Sequence, residues 1–219
     1  MRDHFRYVLQ LIVLTLAFSA HAGSYEDFFT AIKQDDAEVV ADLLQRGFDA
    51  NTPSPDGQHG LYLALREPSP KVAKVLIDWP KTNIDARNRH DETPLMMAAL
   101  KGHADIVRQL IARDADVNKP GWAPLHYAAT GGHLAIMELL LEHHAFIDAE
   151  SPNGTTPLVM AAQYGSTAAV KLLLDAGADT AMKNQLGLTA IDFAHRGNRP
   201  DAVELIASKV RSQRPPGKW

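Results

Sequence analysis

Apolar residues return along this chain in two short alternating patterns. The first is a compact run: Thr93-Pro94-Leu95-Met96-Met97-Ala98-Ala99, then Ala123-Pro124-Leu125-His126-Tyr127-Ala128-Ala129, then Thr156-Pro157-Leu158-Val159-Met160-Ala161-Ala162. A looser copy, Thr189-Ala190-Ile191-Asp192-Phe193-Ala194, follows, and His59-Gly60-Leu61-Tyr62-Leu63-Ala64 precedes in the same frame. The starts are 34, 30, 33 and 33 residues apart. Behind each run comes the second pattern, a glycine and then aliphatic pairs at helical spacing: Gly102-His103, Ile106-Val107, Leu110-Ile111; Gly132-His133, Ile136-Met137, Leu140-Leu141; Gly165-Ser166, Ala169-Val170, Leu173-Leu174. Residues 25–51 keep this frame without the opening turn, through Phe28, Ala31, Val39-Val40, Leu43-Leu44 and Gly47. Pairs spaced by three and four residues give a helix one buried stripe.

Each position has a local physical reason. Thr93 and Thr156 suit helix N-caps, where a hydroxyl accepts a hydrogen bond from a free backbone N–H. Pro94, Pro124 and Pro157 follow at the first helical position, where a missing N–H costs nothing. The Ala-Ala pairs keep the first helix thin, so neighbouring units can approach. Gly102, Gly132, Gly165 and Gly197 turn the chain back. Gly47 and Gly177 suit a left-handed C-cap. Asp114 and His144 stand at that same place, where a side chain carries some strain, although Asp and His tolerate it better than most.

The T-P-L-H-x-A run at a period near 33 resembles the ankyrin repeat. The resemblance extends over residues 25–210 and implies an all-α solenoid of about six helix-turn-helix units joined by short β-turn tips. The expected units are about 24–55, 56–90, 91–120, 121–152, 153–185 and 186–210, within one ankyrin-repeat domain over 23–210. One such unit cannot bury its apolar face alone, so end units should be more polar outside. Asp35-Asp36 and Asp42 in the first and Asp201 in the last fit this. The segment 211–219 reads as a disordered basic tail.

Residues 1–22 have a different character. Arg2 and Arg6 precede an apolar stretch from Val8 to Phe18, and Ser19-Ala20-His21-Ala22 supplies the small residues of a cleavage site. This reads as a secretory signal peptide cleaved after Ala22, with the periplasm as destination. The apolar stretch falls short of the roughly 20 residues that a bilayer requires, so no membrane contact is expected after cleavage.

Composition narrows the function. Hydrophobic residues at 46% provide for a core. The net charge is -4, and an acidic body repels phosphate backbones, which argues against nucleic acid. Without cysteine there can be no disulfide, zinc-thiolate site or cysteine nucleophile. Of ten histidines, His103, His126 and His133 stand where the family uses histidine for structural hydrogen bonds. His4 and His21 lie in the signal. His59, His90, His143, His144 and His195 show no ligand spacing. No G-x-S-x-G or phosphate loop is present. No enzyme activity, metal or other cofactor is expected.

The resemblance implies binding to another protein, by a monomer, through the turn tips and the ends of the first helices. At the tips these are Arg87, Arg89, His90, Glu92, Trp122, Glu150, Thr155, Lys183, Leu186 and Leu188. On the helices they are Leu100, Lys101, Thr130, Gln163 and Tyr164. Large aromatic residues are favoured at interface hot spots, which singles out Trp122 and Tyr164. The step of 30 shortens the Asn118–Trp122 tip by three residues, so a notch with Trp122 at its floor is expected. A scaffold, helper or inhibitor of one partner protein fits best. Exported bacterial members of the family include helpers of haem catalases. A haem- or metal-handling helper of such an oxidative-defence enzyme, or an immunity protein against an exported toxin, is the alternative.

Overall fold

The computed structural model describes residues 23–213; the signal peptide expected over 1–22 lies outside them. Six helix pairs follow one another, with no strand among the described residues beyond an isolated Pro53–His59 bridge. They are α1 (23–34) with α2 (Ala37–Gln45), α3 (Gly60–Arg66) with α4 (Pro70–Asp78), and α5 (Pro94–Lys101) with α6 (Ala104–Ala112). Then come α7 (Pro124–Gly131) with α8 (Leu134–Glu142), α9 (Pro157–Gln163) with α10 (Thr167–Asp175), and α11 (Ala190–Arg196) with α12 (Pro200–Gln213). The all-α reading of the sequence holds. One boundary moves: α12 continues through Gln213, so residues 211–213, expected in the tail, are helical. The chain divides into two compact units between Asn83 and Ile84.

In the first unit, Phe28, Ile32, Leu44, Leu61, Leu65, Leu76 and Ile77 are almost fully buried. Asp36 caps α2 by accepting from Val39 N at 3.1 Å. Asp35 does more than give the end a polar outside. With φ at 54° its carboxylate accepts from Lys71 N and Val72 N, at 2.9 and 3.0 Å, and so caps α4 from the preceding repeat.

In the second unit α5, α7, α9 and α11 pack side by side, each covered by the second helix of its pair. Ala98, Ala99, Ala128, Ala129, Ala161 and Ala162 are all 0% exposed, which is what lets these helices lie close. The expected caps form at both threonines, at long distances: Met96 N donates to Thr93 Oγ1 at 3.3 Å and Val159 N to Thr156 Oγ1 at 3.4 Å. Ala123, in the same place before α7, has no hydroxyl to offer.

The turns divide by mechanism. Gly102 and Gly132 end their helices in the left-handed conformation. Gly165 does not have a positive φ. It is required for another reason: a Cβ there would meet the carbonyl oxygen of Ala129 and the backbone of Ala161. After α6, α8 and α10 the chain turns through Asp114, His144 and Gly177, with φ of 63°, 64° and 98°. At each, two bonds close the helix; for α6 they are Asp114 N to Ile111 O and Ala115 N to Leu110 O. This is the Schellman arrangement, in which glycine is the usual residue.

Side chains also tie one repeat to the next, within each unit. Asn51 Oδ1 accepts from Asn83 N, Asp85 Oδ1 from Asp116 N, Asn118 Oδ1 from Phe146 N and Asp148 Oδ1 from Asp179 N, at 2.7 to 3.1 Å. They act as rungs, fixing one hairpin's base against the following one. Burial raises the Asp85 and Asp148 carboxyls above the usual carboxylate value, partly offset by these same backbone bonds.

Candidate functional site

The tips of the second unit share one construction. Asn88, Ser151 and Asn184 open the turns by accepting backbone N–H groups of residues two to four positions on. A residue with positive φ closes each: Asp91, Gly154 and Gly187. In the shortened tip Gly121 takes that role with φ at 82°, and Trp122 follows it directly.

The shortened tip is anchored from below. The Lys119 side chain is buried, and its ammonium pairs with Asp91 of the preceding tip and donates to Pro120 O at 3.1 Å. Asp91 also pairs with Arg87 at 3.3 Å. The Lys119 ammonium, first of all, holds the Asp91 carboxyl below its usual value. Asp91 therefore does what glycine at the turn could not: its carboxylate receives a buried cation. Lys119 thus ties the shortened tip to the tip before it.

Trp122 lies partly buried against two aromatic rings of the following helix. Its ring centroid is 5.2 Å from that of His126 and 6.4 Å from that of Tyr127, both near edge-on. Together with Leu100, Thr130 and Met160 these rings line a groove of about 210 Å³. Its walls are fixed by hydrogen bonds. His126 is 0% exposed and accepts from Ala123 N at its Nδ1, so its Nε2 carries the proton and donates to Thr155 O at 2.9 Å. Burial holds His126 below the usual histidine value, which keeps it neutral in that tautomer. Tyr127 donates to Glu92 Oε1 at 3.2 Å, and burial followed by the Glu92 charge raises its phenol. Thr130 donates to His126 O at 2.7 Å.

Of the fifteen residues expected to meet a partner, the groove brings three together: Leu100, Trp122 and Thr130. Lys101, Tyr164, Arg89, His90, Glu150, Lys183 and Leu186 are exposed, Tyr164 at 60% and Leu186 at 76%. Gln163 and Leu188 are half-buried. Three have other work. Arg87, though exposed, is paired with Asp91. Glu92 is half-buried and accepts from Tyr127 and from Asn88 Nδ2. Thr155 is 4% exposed, its N–H on Ser151 Oγ and its carbonyl on His126, so its side chain cannot meet a partner. His126, Tyr127 and Met160 were not expected in the site. The signal for Tyr127 and Met160 is their shared place, one residue before the Ala-Ala pair.

Among the described residues, no group of three or more His, Asp or Glu side chains is arranged to hold a metal ion. No described helix is long and apolar enough to cross a membrane.

The family described as ankyrin repeats, in a form of three copies, matches residues 28–120, 80–151, 106–184 and 146–214. Among curated relatives, the mouse protein ankyrin repeat and SAM domain-containing protein 6 is 38% identical over 137 residues, 59% of this chain and 15% of its own length. Neurogenic locus notch homolog protein 1 of Xenopus tropicalis is 32% identical over 77% of this chain and 7% of its own. The nuclear factor NF-kappa-B p105 subunit of Gallus gallus is 34% identical over 70% of this chain and 16% of its own. The chain thus spans a small fraction of the relatives it matches.

Proposed function

The chain belongs to the ankyrin-repeat family, and from that premise we propose that it is an exported, periplasmic binding module that scaffolds, assists or inhibits one partner protein. The observation that carries the binding site is the groove at Trp122. Its walls are mostly apolar surface, and the polar groups of His126, Tyr127 and Thr130 are already bonded within the protein, so a ligand there gains by burying apolar surface. Tyr164 and Leu186, both exposed, offer further apolar surface to a partner. Export rests on the sequence of residues 1–22.

Two measurements test this. Cell fractionation with N-terminal sequencing should recover a chain beginning at Gly23 in the periplasm; a cytoplasmic chain beginning at Met1 would remove export from the reading. Affinity capture from periplasmic extract should recover one protein in stoichiometric amount, and Trp122→Ala should reduce its recovery at least 10-fold, as for a hot-spot truncation of about 1.4 kcal/mol or more. Equal recovery by both would rule out the groove as the contact.

A further inference from the structure

The charges around the groove are unequally spent. The nearby acids are engaged internally: Asp91 by Lys119 and Arg87, and Glu92 by Tyr127 and Asn88. Of the cations, Lys101 directly follows the groove residue Leu100 and is exposed, with no carboxylate partner among the described residues. Glu150, in the turn after α8, is an exposed acid. Lys101 thus offers an unpaired positive charge next to a groove residue, on a chain whose net charge is -4.

We propose that the groove receives one apolar side chain from an acidic segment of the partner, with Lys101 meeting a carboxylate close to that side chain in sequence. The proposal rests on the binding-module reading and specifies its partner. A volume of about 210 Å³ suits one large side chain and not a helix face. The polar groups at its wall are already bonded within the protein, the Glu92 carboxylate to Tyr127 and Asn88 and the His126 ring to Ala123 N and Thr155 O. A basic segment would meet Lys101 at like sign; an acidic one finds an unpaired ammonium there, and its approach is steered by it. An acidic segment is repelled elsewhere on an acidic surface, so the same charge distribution also selects where it can dock.

The test is panning of a displayed library of random linear peptides on the full chain, followed by affinities for the enriched peptides. Enriched sequences should pair one Leu, Met, Ile or Phe with Asp or Glu within a few residues, and their binding should weaken as salt rises. Thr130→Arg, which fills the groove from the surface of α7, should abolish binding while the helical circular dichroism stays unchanged. Lys101→Glu should weaken binding about 10-fold at low salt, and Glu150→Lys should strengthen it. Enrichment of basic or uncharged sequences, no enrichment, or indifference to Thr130→Arg each overturns the proposal. If peptides fail while protein capture still depends on Trp122, the binding module stands and only this occupant falls.

Discussion

Asp114→Gly should stabilise the protein. Asp114 is the left-handed residue of a Schellman turn closed by two backbone bonds, with φ at 63°. For an L-residue the left-handed region costs about 1–2 kcal/mol, less for aspartate, whose short side chain tolerates it. Glycine avoids that cost but gives up about 0.5–1 kcal/mol of unfolded-state freedom. The carboxylate also sits at the negative end of the α6 dipole, a further loss of about 0.3 kcal/mol at an exposed site. The net gain is about 0.5–1 kcal/mol, or roughly 1–4 °C in Tm for a chain of this length. The structure supplies the reciprocal experiment. Gly177 holds the same place after α10 with φ at 98°, and nothing lies within 4 Å of a Cβ built there. Gly177→Asp should therefore lose a similar amount through backbone conformation alone. Urea unfolding of both variants, with the m-value unchanged, isolates the effect from altered cooperativity, which repeat arrays can show. A lower midpoint for Asp114→Gly together with an unaffected Gly177→Asp would refute the reasoning.

Three further outcomes follow from the fold. Ala123→Thr should supply the missing cap of α7 and add about 0.5–1 kcal/mol, because Thr93 and Thr156 fit equally buried equivalents; a loss on chemical unfolding would show that Trp122 leaves no room. Gly165→Ala should cost about 1–3 kcal/mol, since the methyl meets the Ala129 carbonyl and cannot be accommodated by a side-chain rotation; an unchanged Tm contradicts it. Asp85→Asn should stabilise at neutral pH. Burial raises the Asp85 carboxyl in the fold, so its contribution is fully present below its unfolded value, near 3.8, and is lost as pH rises through the folded value. The amide keeps the acceptor for Asp116 N without the buried charge. The advantage should vanish as pH falls below about 4, and a gain independent of pH would assign it elsewhere.

Most of the fold was legible because each ankyrin unit carries its own signals. The Thr-Pro starts, the Ala pairs and the glycines are local, and their backbone consequences are local too; even Asp114 and His144 could be placed in the left-handed region by register alone. Gly165 was legible as a turn but not for its reason, since the atom it must avoid belongs to Ala129 in the neighbouring repeat. The site was less legible. Thr155 reads as a tip residue, and only the ring of His126, 29 residues away, shows why it is buried. Lys119 reads as a solvated loop cation. Its burial depends on a carboxylate from a turn 28 residues earlier and on a three-residue shortening that leaves the side chain beneath the tip. The shortening itself was visible; the burial of Lys119 against Asp91 was not.

The rungs between repeats have a consequence for how the chain acquires its shape. Each joins positions 28 to 32 residues apart, so a newly available segment meets its counterpart about one repeat later and waits for nothing more distant. Closing short loops of uniform size keeps the search local and fast. A chain delivered from one end could, within each unit, lock a hairpin onto the one before it as it emerged, advancing like a zip.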